Sequence, residues 1–326
     1  MKLQSAGQIA LVVAACAYLL SVYLMSSPVW IGFTINALIV TIIALSWNIT
    51  GGFGGMSSFG HAALYGTGAY ASAILQVQFG VNAWIAFGFG IIAGAAMGGF
   101  IGALAFRYGL KGSYFALVTL AFAEVLRICA SSFAITGGGS GLQLRLDPGV
   151  ATLQFPDRTV FYTILLVVVA LVMLLTFLIK KSRFGAYLVA IRENEDAARA
   201  LGIDTYKIKV QAMVISGAFG GLAGALYLQL FLFIDSTVVY GSAVSIEALI
   251  GPIIGGAGTV WGPLIGTLGL HLLSEGAKHL LPNAPGLNFV LYAIVLICAV
   301  RLLPRGLMGL AALFGTFNSR KDDDHA

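Results

Sequence analysis

Long, uninterrupted apolar runs alternate along this chain with short polar or glycine-rich gaps. Runs such as 161–179 and 289–300 are continuous, without the one-in-two alternation of a membrane β-strand. They predict α-helices, which satisfy their own backbone hydrogen bonds in lipid. One span of about 20 residues per run gives 8–25, 29–49, 57–77, 82–106, 113–135, 159–180, 210–231, 240–256, 259–275 and 287–304. The expected fold is an all-α polytopic membrane protein with about ten transmembrane helices, some of them discontinuous, in a single domain over 1–326.

Composition agrees. The 326 residues are 59% hydrophobic and 10% charged, with a mean hydropathy of +0.95; soluble domains carry about a quarter charged residues. A soluble enzyme or binding module is thereby excluded. The net charge is +5, and its placement orients the chain. Arg107 and Lys111 lie between spans four and five. Lys180, Lys181, Arg183, Arg192, Arg199, Lys207 and Lys209 surround the gap between spans six and seven, and Arg305, Arg320 and Lys321 follow span ten. Short cytoplasmic loops collect Lys and Arg, so ten spans with a cytoplasmic N-terminus place all three groups on one side. Both termini are then cytoplasmic, 181–209 is the main cytoplasmic segment, and 136–158 is a long external loop. No small-residue cleavage site follows the first span, which is expected to stay as a helix. Cys16, Cys129 and Cys298 sit in apolar runs without metal-type spacing and are expected as small buried side chains.

Glycine, 42 residues, is spaced with purpose. Gly90, Gly94, Gly98 and Gly102 fall on one helix face, and Gly217–Gly221, Gly220–Gly224, Gly251–Gly255 and Gly262–Gly266 repeat the interval. Small residues at i and i+4 let helix backbones approach closely in lipid. Two further clusters, Gly51-Gly52-Phe53-Gly54 and Gly255-Gly256-Ala257-Gly258, break the helical pattern in the two halves of the chain. Interrupted helices in corresponding halves point to a transport pathway. Ser57 and Ser58 follow the first break, where they could cap the next helix or line that path. His61 has no second histidine at i+4, and a hydrogen bond to a neighbouring helix suits it better than a metal. Glu124, three residues before Arg127, and Glu247 are acids at membrane depth. Such residues mark pathways or subunit contacts, or they tie structure internally; both readings stand for Ser57, Ser58, His61, Glu124, Glu247, Gly255 and Gly256.

In the cytoplasmic segment, 187–201 is alanine-rich and free of proline, which predicts a short helix. Arg192 with Asp196 and Glu195 with Arg199 are four apart and suit surface pairs. Gly202 suits the left-handed position that ends a helix. Asp196-Ala197-Ala198-Arg199-Ala200-Leu201-Gly202 resembles the EAA-xxx-G signature of ABC importer permeases, with Asp in place of the usual Glu. The resemblance extends over nearly the whole chain. GGFGGMSSFGHAALYGTGAY, YFALVTLAFAEVLRI, TGGGSGL, IRENEDAARALGI, GGLAGALY, SIEALIGPIIGGAGTVWGPLIGT and LPRGLMGL are together similar to the LivM-type subunit of branched-chain amino acid ABC transporters. Gly55-Met56 departs from the Gln and aliphatic residue of many relatives.

That resemblance implies a bacterial inner-membrane permease subunit moving branched-chain or other hydrophobic amino acids by alternating access. It implies a second homologous permease subunit, two ATPase subunits, a periplasmic substrate-binding protein and the lipid bilayer as partners, with no nucleic acid. Glu195, Asp196, Ala197, Ala198, Arg199, Leu201 and Gly202 would form the coupling helix that meets an ATPase. No G-x-x-x-x-G-K-[ST] loop exists to hold nucleotide phosphates, so ATP belongs to partner chains and no cofactor is expected here. No catalytic or metal-ligating residues are expected. Related permeases for urea or small aromatic acids stand as alternatives, as does an ion-coupled secondary transporter or channel working alone.

Overall fold

The computed structural model describes residues 6–25 and 27–280, with isolated positions at 290, 293–294, 297, 301 and 306–310. The helices, in order, are α1 (Ala6–Met25), α2 (Pro28–Trp47), α3 (His61–Val77), α4 (Ala83–Arg107), α5 (Gly112–Ser132) and α6 (Arg158–Lys181). Then follow α7 (Arg183–Glu193), α8 (Glu195–Ala200), α9 (Thr205–Phe231), α10 (Ser236–Val239), α11 (Ser242–Gly255) and α12 (Gly262–Leu280). This is an all-α polytopic membrane fold. Among the described residues, seven helices are long and apolar enough to cross a bilayer, fewer than the ten expected. The third expected span, 57–77, begins as helix only at His61, because 54–60 carries no helix. The ninth is α12, and the tenth, 287–304, lies largely outside the described residues.

Polar side chains punctuate the helices. Asn82, Asp157, Ser182, Asn194, Asp204 and Asp235 each accept a backbone N–H of the first turn that follows, which satisfies donors a helix start leaves open. Asn194 changes the expected picture. It accepts from Asp196 N at 3.1 Å and Ala197 N at 3.0 Å, so the single helix expected over 187–201 is two helices, α7 and α8. The Arg192–Asp196 pair therefore does not form, since no continuous helix carries both. Glu195 and Arg199 do pair, at 3.3 Å.

The centre of the bundle is a three-way contact of α3, α4 and α9, built on glycine. Gly90, Gly94, Gly98 and Gly102 are all buried on one face of α4. A Cβ at Gly94 would lie 2.7 Å from Gly221 Cα, and one at Gly221 would lie 3.1 Å from Gly94 Cα. Gly220 and Gly224 face α3 instead, against Leu64 and Tyr65, while Gly217 faces α4 and Gly221 packs on both, against Gly94 of α4 and Gly68 of α3. Gly251 and Gly255 of α11 meet Gly262 and Gly266 of α12 in the same way. α1 is exposed along most of its length. Cys16 on it is exposed and Cys129 on α5 half-buried, rather than buried as expected, because their helices lie at the rim; Cys298 is outside the described residues.

The loop 136–158 is ordered by pairing with the segment after α9 and by bonds within itself. Leu142–Gln143 pairs antiparallel with Phe233–Ile234 after α9. Gln154 ties the turn around it, accepting from Asp147 N at 2.9 Å and donating to Arg145 O at 3.0 Å.

Candidate functional site

The two glycine-rich breaks, far apart in sequence, touch. α2 continues as a wider π-helical turn, Asn48–Phe53, a deviation that recurs at functional sites. A Cβ at Gly51 would lie 2.5 Å from the Trp47 ring, and one at Gly52 would lie 2.6 Å from Gly258 N. The second break follows α11, with Gly256 and Gly258 at φ of +123° and +76°, backbone that glycine adopts without strain. Between them lies Asn48, fully buried. Its amide donates to Thr259 O at 2.8 Å and accepts from Gly258 N at 2.8 Å. Thr259 Oγ1 then donates to Gly256 O at 2.7 Å and accepts from Gly262 N at 2.9 Å at the start of α12. Gly255 and Gly256 thus serve close packing and the sharp turn.

Cations hold both breaks from the end of the bundle that carries Arg107, Lys111 and Lys180. Arg192, in the last turn of α7, donates to Gly52 O at 3.0 Å. Lys180, in the last turn of α6, donates to Gly258 O at 3.0 Å and lies 5.8 Å from the Phe53 ring centre. One residue past the α7–α8 break, Glu195 accepts Lys209 at 2.6 Å, Lys111 at 3.0 Å and Arg199 at 3.3 Å. Burial pushes the Glu195 carboxyl up, but the hydrogen bonds from Lys209 and Lys111 outweigh it, and its pKa falls below the ordinary 4.5. Glu195 is therefore a hub joining α5, α8 and α9 rather than half of a surface pair.

The rest of α8 turns outward. Ala198 is buried, but Asp196, Ala197, Arg199 and Ala200 are exposed, and Leu201 is 83% exposed. Gly202, at φ +84°, ends the helix. Its N–H reaches Arg199 O at 3.0 Å and Ile203 N reaches Ala198 O at 3.2 Å, the left-handed stop expected of it.

The polar residues at membrane depth divide sharply. His61, fully buried, pairs through Nε2 with Ser216 Oγ at 3.0 Å. Ser216 Oγ donates to Ser46 O at 2.9 Å, and Ser46 Oγ donates to Ser216 O at 2.7 Å. Ser58 is also buried; its hydroxyl accepts from Gly60 N at 3.3 Å and its carbonyl from Trp47 at 2.8 Å. Neither serine caps α3, whose start has no side-chain cap. Ser57, one residue away, is exposed and lines a groove of about 490 Å³ with Phe59 and the α5 residues Gly112, Ser113, Ala116, Leu117 and Leu120. Glu247 is half-buried on α11, within electrostatic reach of Tyr65 and Tyr227. Glu124 accepts Arg127 Nε at 2.9 Å on an exposed face of α5. Sequence reasoning passed over Asn48, Lys180 and the bridging role of Arg192. A lone Asn at the end of an apolar run, directly before Gly-Gly, was the available signal.

A helical membrane bundle whose interrupted helices are gripped from a small exposed helix pair is a membrane transport scaffold. The family model for the branched-chain amino acid transport system / permease component matches residues 29–300, and the chain belongs to that family. It is 28% identical over 263 residues to the high-affinity branched-chain amino acid transport system permease protein LivM of Escherichia coli K12, covering 73% of this chain and 61% of that one. It is 26% identical over 311 residues to the probable LivM permease of Methanocaldococcus jannaschii, covering 82% and 89%. It is 27% identical over 287 residues to the LivH permease of Salmonella typhimurium, covering 82% and 90%. The chain thus spans about three fifths of the length of the first of these relatives. No solved structure matches it.

Proposed function

We propose that this chain is a permease subunit of an ATP-driven importer for branched-chain or other hydrophobic amino acids. It works by alternating access beside a second permease subunit, with two ATPase subunits on the basic side and a periplasmic binding protein on the other. The basic end and both termini face the cytoplasm of a bacterial inner membrane, crossed by about ten spans. The chain itself hydrolyses nothing and holds no cofactor.

One observation carries the reading: α8 leaves Leu201 uncovered while Glu195 and Arg192 tie the α7–α8 pair to the bundle and to the first break. A partner that pulls on α8 moves Arg192, and Arg192 holds the backbone of Gly52. Lys180 and Asn48 extend the link to the second break. Leu201→Glu should fold normally, since its side chain touches solvent, and should lose co-purification with the ATPase subunits. Arg192→Ala should keep the ATPase bound while amino acid uptake falls at least tenfold. Uptake by the purified chain alone, driven in liposomes by an ion gradient only, would overturn the proposal in favour of a secondary transporter.

A further inference from the structure

α5 presents three different faces. Phe115, Thr119, Ala123 and Ala130 are buried against the bundle. Tyr114, Val125 and Ile128, on the side turned away from the bundle, are at least half exposed and, with no charged group among them, suit lipid. Between them runs a third stripe, Ser113, Leu117, Leu120, Glu124, Arg127 and Ser131, spaced in alternating steps of four and three, which keeps side chains on one helix face. Its lower part is the wall of the groove at Ser57.

Glu124 lies about 18 Å along a 31 Å helix at 1.5 Å per residue, well inside the hydrocarbon depth. Its side chain is nevertheless 54% exposed and that of Arg127 30% exposed. Charges at this depth face protein or water rather than lipid. Arg127 also reaches inward to Glu124, when a long cation near a helix end can instead extend to the nearer surface.

We infer that this stripe walls the substrate path and that Glu124 and Arg127 form a subsite for a zwitterionic α-amino acid. This rests on the importer reading above. The pair is a fixed dipole with no net charge. An amino acid complements it head to tail, its ammonium donating to the Glu124 carboxylate and its carboxylate accepting from the Arg127 guanidinium. A lone acid or base would favour ions of one sign, whereas a dipole selects a dipole. Because the two residues already satisfy each other, binding exchanges contacts rather than adding them, and the site stays weak enough to release its cargo. Leu117 and Leu120, 64% and 38% exposed below the pair, offer an apolar wall to the side chain.

The test uses the complete transporter in proteoliposomes with L-leucine as probe, comparing wild type with Glu124→Gln, Arg127→Gln and the double variant. The double variant leaves no unpaired charge, so it separates substrate binding from simple ion-pair stability. The expected result is a tenfold or greater loss of uptake in all three, with the complex assembled and ATP hydrolysis retained. Wild-type uptake by the double variant would show an internal ion pair only and overturn the site. Failure of the double variant to assemble would make the pair a subunit contact, which overturns it equally. In a chain with its native cysteines replaced, Leu117→Cys should react with a water-soluble, membrane-impermeant thiol reagent, and leucine should slow it; no reaction would overturn the water-filled path. If wild type itself moves no amino acid, the importer reading fails and the site falls with it, whereas wild-type uptake with unaffected variants sinks the site alone.

Discussion

Two polar clusters at membrane depth are treated in opposite ways. Ser46, His61 and Ser216 join α2, α3 and α9 with their hydroxyls and one ring nitrogen satisfied, and none is exposed to more than a trace. Glu124 and Arg127 satisfy each other on a single helix and stand open at the side of the chain. The first cluster contains the less polar groups and is sealed by close helix packing; the second carries full charges and is left uncovered. Hydroxyls can be buried at little net cost when each finds a partner. A charged pair loses far more hydration on burial, and at membrane depth an uncovered one must face water or another protein rather than lipid. The difference separates what holds the bundle together from what the bundle presents.

The largest effect should come from opening the seal itself. Gly221→Leu places a branched side chain where its Cβ alone would lie 3.1 Å from Gly94 Cα, and neither backbone can retreat without parting α4 from α9. The expected outcome is loss of the monodisperse species in detergent size-exclusion chromatography. Leucine at Ile128, on the exposed face of α5, should leave that profile unchanged. A folded Gly221→Leu protein would mean that the seam is looser than its geometry requires.

A smaller effect should follow from cutting one bond inside the seal. Ser216→Ala removes the hydroxyl partner of His61 Nε2, and His61 Nδ1 already has none, so the buried ring keeps only its contact with the Ser46 backbone. The cost of such a group is about 1–3 kcal/mol, read as a lower melting temperature in detergent. Ser57→Ala, in the open groove, should fall within about 0.5 kcal/mol of wild type. Equal shifts for the two serines would erase the distinction between sealed and open polar groups.

Much of the sealed region was legible in the sequence, because its signals are local. The four-residue glycine intervals marked the faces of α4, α9, α11 and α12 that pack closely, though not which helix each one meets, and Gly202 marked the end of α8. The i, i+3 spacing of Glu124 and Arg127 foretold their pairing. Their exposure was not legible, because it depends on which helices cover α5. Ser57 and Ser58 are chemically identical neighbours with opposite fates, decided by the turn of an extended segment that Phe59 N anchors to Thr119 Oγ1 at 3.1 Å. The break at Asn194 was hidden by helix-forming neighbours on both sides; a side chain that accepts two backbone donors outcompetes them. Glu195 looked like a surface residue because Lys111 and Lys209 are distant in sequence.

That last residue offers the finest test, since the Glu195 hub stands between the two extremes. Its side chain is 14% exposed and that of Lys209 8%, while Lys111 and Arg199 reach it from solvent at 53% and 62%. Glu195→Gln should destabilise the attachment of α8 by about 1 kcal/mol at neutral pH, because the exposed partners are screened and only the Lys209 bond is well shielded. The carboxyl pKa is lowered from 4.5 in the folded chain, so its contribution is fully present above that value and is lost as pH falls through the lower, folded value. The gap in melting temperature between wild type and Glu195→Gln should therefore hold from neutral pH down to about 4.5 and close below it. A gap that persists in acid would assign the hub's strength to shape rather than charge. It would place Glu195 with the sealed residues instead of the open pair on α5.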